Sequence, residues 1–216
     1  MSLTIYGIAA SRAVRPLWAA AELGLSFEHV ETPYQGGATR TPDFLALNPN
    51  GRVPVLVDHR PEGEVVVWES MACALYLARH HGKGDLAPAT PREDAQALRW
   101  SFWSVTEVEK DALTVLMHRV AMPPGQRKAD LAEAAEKRLH VPLRVLEQHL
   151  AQQSAQGLPF LAAGRFTVAD LCVASVLGWA RPARALMEAF PTTRAWLERC
   201  LERPAHQALR AQARRH

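Results

Sequence analysis

Cysteine is scarce in this chain. Only Cys73, Cys172 and Cys200 are present, widely spaced. They form no C-x-x-C pair and no zinc-ligand spacing, which excludes a redox dithiol and a structural zinc site; no metal is expected. Free thiols in a reducing compartment, the cytoplasm, are the simplest account. Long apolar runs are missing too. Nothing approaches the ~18–20 residues needed to cross a bilayer, so no membrane partner is expected. The opening MSLTIYGIAASRAVRP lacks the basic start, apolar core and cleavage site of a secretory signal. Charge of one sign is in short supply: the net charge is +3. That excess argues only weakly for nucleic acid. Its densest part is the acid-free tail 203–216, with Arg203, Arg210, Arg214 and Arg215. The tail reads as a solvated helix end, and with no DNA- or RNA-binding motif beside it nucleic acid is not an expected partner. Internal repeats, low-complexity tracts and the serine elbow of hydrolases are also absent.

What is present is an ordinary globular composition, 48% hydrophobic and 22% charged over 216 residues. That length suits one large domain or two small ones. The two halves have different grammar. In 1–82, short β-type runs alternate with helical ones. Leu3–Tyr6 and Phe27–Thr32 read as strands around an amphipathic helix over 14–23 that stops at Gly24. After a linking segment, Val53–Val57 and Val65–Trp68 read as strands joined by a hairpin turn at Pro61 and Gly63, followed by a helix from Ser70 to His80. The order suits a small mixed sheet with helices packed on it. Gly82, Gly84, Pro88 and Pro91 mark 83–91 as a linker. From 92 to 216 the pattern is helical throughout. One long helix over 92–120 breaks at Pro123-Pro124-Gly125, and a second over 127–153 is kinked or split by Pro142. A helix over 168–188 is apolar nearly all round, as at a bundle centre. Shorter helices follow near 192–201 and 204–214.

Three local features carry chemistry. Pro54 lies inside an apolar strand run, where it cannot donate to a ladder. A strand that starts at Pro54, after a cis bond, resolves this, and leaves Val53 free to pair with an extended peptide; a plain edge proline is the competing reading. Glu69-Ser70 stands where a strand meets a helix. Ser70 is placed as the N-cap, a position that holds a carboxylate, while Glu69 suits an ammonium group; together they fit one amino acid, or else form an ordinary cap. Ser11 lies between the first strand and first helix, where its hydroxyl faces an anion or merely closes a turn. Pro16 means that the regular helix starts near Arg15 or that its first turn is irregular.

In order and spacing these pieces resemble the glutathione transferase superfamily over essentially the whole chain. The resemblance rests on Ser11-Arg12-Ala13-Val14-Arg15, on Asn48-Pro49-Asn50-Gly51-Arg52-Val53-Pro54-Val55-Leu56, on Glu69-Ser70, and on Phe166-Thr167-Val168-Ala169-Asp170. It implies an α+β thioredoxin-like N-terminal domain followed by an all-α helical domain, and a homodimer. It implies glutathione as co-substrate. Val53, before a cis Pro54, pairs its backbone with the cysteinyl part; Glu69 and Ser70 hold the γ-glutamyl end; Arg52 meets the glycyl carboxylate. Ser11 takes the place of the hydroxyl that stabilises the thiolate. No tyrosine or cysteine stands there, and Tyr6 falls within the first strand, so the resemblance is to a bacterial-looking serine-type transferase.

The magnitudes are compatible with one hydroxyl. Lowering a thiol pKa from ~8.5 by about two units needs roughly 2.7 kcal/mol. A hydrogen bond to a charged group supplies ~1.5–3 kcal/mol and a helix terminus ~0.3–1 more. Thr167 and Asp170 have capping-box spacing with Phe166 as the apolar staple, which reads as folding rather than catalysis. The second substrate's pocket faces the first helix of the helical half, with Trp100, Trp103, Ser104, Glu107 and His118 as candidates; Trp103 and Glu107 are preferred. Cys73 reads as a small buried apolar residue. Transfer of glutathione to a small electrophile is the leading function. A glutathione-dependent peroxidase or disulfide-bond reductase on the same site, and a non-catalytic interaction module, are the alternatives.

Overall fold

A computed structural model describes residues 2–82 and 84–213; of the residues named above, Arg214 and Arg215 lie outside the described residues. The elements are β1 (Ser2–Tyr6), α1 (Val14–Glu22), β2 (Glu28–Val30), α2 (Pro42–Leu47), β3 (Val55–Arg60), β4 (Gly63–Trp68), α3 (Ser70–His81), α4 (Pro91–Trp103), α5 (Glu109–Leu116), α6 (Ala129–Ala155), α7 (Val168–Leu177), α8 (Arg184–Glu188), α9 (Pro191–Leu201) and α10 (Pro204–Ala213). They form two compact units: the chain up to Pro88 together with the part from Arg203 on, and Ala89–Glu202.

In the first unit the strands lie in the order β2-β1-β3-β4, with β1 parallel to β2 and the other two pairs antiparallel. This is the small mixed sheet that the β-α-β, β-β-α order suits, and the thioredoxin-like sheet that the family resemblance implies. The first half of β3, Val55–Val57, is apolar without alternation because both its faces are covered. Val55 and Val57 pack with Phe44 of α2, joined by Tyr6, Leu47 and Val53. Leu56, one residue out of phase and fully buried, faces the other side. α1 and α3 pack against one another in this unit. α2 lies in what reads from sequence as a mere link. Six residues are too few to display a helical period, yet its start is marked: Thr41 Oγ1 accepts the Phe44 N–H at 3.3 Å, and Pro42 is the first helical residue.

α10 follows the helical half in sequence, and the division 92–216 groups it there, but it packs on α1. The Trp18 and His206 rings lie 4.6 Å apart. Arg203 Nε and its NH2 donate to the two Glu22 oxygens at 2.8 and 2.7 Å.

The second unit is helical, as expected, with three differences of detail. The run over 92–120 is not one uniform helix. A π-helical turn at Ser104–Val108 interrupts it and a second at Met117–Ala121 ends it. The long second helix, α6, runs unbroken through Pro142, which is buried beside Leu139, Leu143 and Leu146. Packing on this face carries the helix past the missing N–H. The apolar stretch over 168–188 is not one helix. α7 ends at Leu177, the chain makes a short 3-10 turn at Gly178–Ala180, and Pro182 precedes α8. All ten residues of α7 are buried, which explains its all-round apolar sequence.

Candidate functional site

Sheet register gathers the singled-out segments of the first unit at one end. Tyr6 pairs with Val55, and Val55 with Trp68. The exit of β1, the entry of β3 and the exit of β4 therefore lie in one row. The turn to α1, residues Val53-Pro54, and Glu69-Ser70 extend from that row. Gly7 draws two of them together: a Cβ there would stand 2.6 Å from the Ala13 Cβ and 3.1 Å from the Val53 Cβ. Only glycine permits that approach at its φ of 130°.

α1 begins at Val14, so Pro16 falls in the first turn, where no i−4 hydrogen bond is due. Ser11 lies ahead of the helix, half-buried in a turn. Its hydroxyl donates to the Ile8 carbonyl at 2.7 Å and accepts the Ala13 N–H at 3.1 Å. Arg12 is exposed; Tyr6, half-buried, meets Phe44 edge-on within the strand.

The Val53–Pro54 bond is cis. Ladder pairing begins only at Val55, and among the described residues no hydrogen bond reaches the Val53 N–H or C=O. The turn before it is built by Asn48, a buried side chain. Its Nδ2 donates to the Arg52 carbonyl at 2.7 Å, and its Oδ1 accepts the Asn50 N–H at 3.0 Å. Gly51, at φ 59°, closes that turn; a Cβ there would meet Arg40 NH1 at 2.6 Å. Arg40, which the sequence reading passed over, thus joins the exposed Arg52 as a second cation beside this segment. Its signal is faint: one arginine in a loop, just before the Thr41-Pro42 helix start.

Ser70 is not the N-cap of α3. Glu69 holds that position, and Ser70 is the first helical residue. The physical reason is backbone conformation: Glu69 has φ 71° and ψ 116°, the one described non-glycine residue at positive φ, so the chain turns at Glu69 itself. The Ser70 hydroxyl, buried, caps nothing and instead accepts a hydrogen bond from Arg15 NH1 at 2.7 Å. Glu69 is exposed.

The candidates in the helical unit separate. Trp100 is core, its ring 4.8 Å from that of His149 and its Nε1 donating to Gln96 Oε1. Ser104 is buried and donates to the Ser101 carbonyl. His118 accepts the Lys128 N–H through Nδ1. Trp103 is half-buried, edge-on to Trp100 at 5.0 Å, and Glu107 is exposed. All three cysteines are buried and in no disulfide. Burial and the nearby Glu69 charge push the Cys73 thiol far up, which makes it inert. Among the described residues no three His, Cys, Asp or Glu side chains are grouped to hold a metal ion, and no helix is long and apolar enough to cross a membrane.

This arrangement of sheet, turn and helix start has known counterparts. Residues 1–79 match the model of the glutathione S-transferase N-terminal domain, and 109–204 that of the C-terminal domain. Glutathione S-transferase 3 of Zea mays is 35% identical over 216 residues, covering 95% of this chain and 91% of its own. Glutathione S-transferase GstB of Escherichia coli (strain K12) is 29% identical, with 85% of each chain covered. The crystal structure of the glutathione transferase URE2P6 from Phanerochaete chrysosporium, in complex with oxidized glutathione, superposes with a TM-score of 0.79 at 28% identity, covering 99% of this chain and 96% of that one. The chain belongs to the glutathione S-transferase superfamily.

Proposed function

We propose that this protein is a glutathione transferase, with glutathione as co-substrate, which activates the bound thiol as a thiolate for attack on a small electrophile. The observation that carries the reading is Val53. Its N–H and C=O have no protein partner among the described residues, and they adjoin Glu69 and Ser70 at one end of the sheet. Unpaired backbone groups of this kind suit an extended peptide added as a short strand. In this reading Val53, before Pro54, holds the cysteinyl part. Glu69 takes the ammonium and Ser70 the carboxylate of the γ-glutamyl end. Arg52, with Arg40, meets the glycyl carboxylate.

Ser11 is the group assigned to the sulfur. Its one hydroxyl proton goes to the Ile8 carbonyl in the structure, so thiolate binding requires that hydroxyl to rotate. With all protein thiols buried, thiol chemistry falls to bound glutathione. Trp103 and Glu107 are assigned to the electrophile pocket. A homodimer in the cytoplasm completes the proposal; the family resemblance supports the first, and three cysteines outside any disulfide suit a reducing compartment.

The test is isothermal titration with reduced glutathione. Binding in the micromolar to millimolar range, weakened by Glu69→Ala, is expected, and a screen of electrophiles and peroxides then separates transfer from peroxide reduction. A folded protein that shows no binding at several temperatures would sink the reading.

A further inference from the structure

Arg15 is a cation in the interior of the first unit. It is 1% exposed, on α1, and NH1 donates to Ser70 Oγ at 2.7 Å. A guanidinium stays protonated at every working pH and has no acceptor atom. The direction of this hydrogen bond is therefore fixed: Ser70 accepts from Arg15, and its single O–H proton is left to donate. Among the described residues that hydroxyl donates no hydrogen bond. The hydroxyl stands in the first turn of the twelve-residue α3, on the residue that follows the exposed Glu69. A hydroxyl that accepts from a cation is polarised, which makes it a stronger donor. Such a donor suits an anionic oxygen, and with one of its two lone pairs taken by Arg15 the hydroxyl is a poorer acceptor for an ammonium than the neighbouring Glu69 carboxylate.

We propose that Arg15 is a positioning residue for the ligand site. Acting through Ser70, it fixes that hydroxyl as a donor and so selects a ligand bearing a carboxylate at the γ-glutamyl end. This rests on the assignment of Glu69 and Ser70 to the γ-glutamyl group and adds a specificity device that touches no substrate atom itself.

The experiment compares the full-length protein's affinity for glutathione and for γ-aminobutyryl-cysteinylglycine, which lacks only the α-carboxylate of the glutamyl residue. Wild type is expected to prefer glutathione by about tenfold or more, the size of a hydrogen bond to a charged group. In Arg15→Met the preference falls to within about threefold, as it does in Ser70→Ala, and the double variant falls no further, because both changes remove one device. A general loss of structure would lower both affinities and leave the ratio unchanged. A folded Arg15→Met that discriminates like wild type overturns the inference. If that variant does not fold, Arg15→Gln, without the charge and with shorter reach, is measured instead, and an unchanged ratio there overturns it equally. Ser70→Ala with a wild-type ratio also overturns it. A folded wild type that binds neither compound removes the proposed function and this inference with it; one that binds both equally overturns the inference and the Ser70 contact to the carboxylate, and leaves glutathione binding standing.

Discussion

Two helix starts, one in each unit, solve the same problem in opposite ways. α7 begins at Thr167 with a capping box, and everything it needs comes from nearby chain and packing. Asp170, fully buried, accepts from the Thr167 N–H and hydroxyl through Oδ2, and from the Leu161 N–H and Trp196 Nε1 through Oδ1, all at 2.9–3.0 Å. Phe166 is buried just ahead of it. α3 begins at Glu69 with no side-chain cap, a left-handed backbone and an exposed carboxylate, and its first hydroxyl is held by a cation from another helix. The first start is closed and serves stability. The second carries backbone strain and leaves the Glu69 carboxylate exposed, the two features the proposed binding end uses.

The sharpest way to break this comparison is at Asp170. Asp170→Ala leaves four buried donors without their acceptor and is expected to cost about 3–5 kcal/mol, read as a large fall in Tm. Should its Tm stay within a few degrees of wild type, α7's start would not be the closed structural feature described. Next in size is Ser11→Ala. Losing one hydrogen bond to a charged sulfur lowers kcat by about 10- to 100-fold with glutathione affinity nearly intact; full turnover would move the role to a neighbouring backbone N–H or to Arg12. Glu69→Gly then separates strain from binding. Glycine accepts φ 71° without the Cβ penalty of ~1–2 kcal/mol, so Tm holds or rises while glutathione affinity drops about tenfold. A Tm that fell with affinity unchanged would make Glu69 a fold residue like Asp170.

The smallest effect concerns acid. Burial would raise the Asp58 carboxyl, yet hydrogen bonds from His81, Tyr76 and Arg60 hold it below its usual value. Burial would also raise Glu147, but the N–H groups of Thr193 and Thr192 at the start of α9 hold it low as well. A lowered carboxyl pKa adds stability that is full above the unfolded value of about 4 and is lost as pH falls through the folded value. Glu147→Gln should thus lower Tm at neutral pH, with the gap to wild type closing below about pH 4. A gap that stayed constant down to pH 3 would show that charge plays no part in this cap.

Much of this molecule is legible as sequence because periodicity and punctuation report local geometry. The strand–helix order of the first half, the all-helical second half, the Thr167–Asp170 box and the interruption at Pro54 are properties of contiguous residues. The glutathione transferase resemblance gathers those same motifs. What stays hidden is either too short to show a period, as with α2, or depends on distant partners. α10 is an ordinary amphipathic helix until Trp18 and Glu22 on α1 give it a place. Pro142 reads as a kink or a split, and tertiary packing keeps the helix continuous through it. Ser70 reads as a cap because serine before a helix usually is one. Only the folded chain brings Arg15, 55 residues away, to its hydroxyl and so changes what that hydroxyl can do. Local pattern determines which elements form; the direction of a buried hydrogen bond depends on which donor tertiary packing places beside it, and no short-range pattern encodes that.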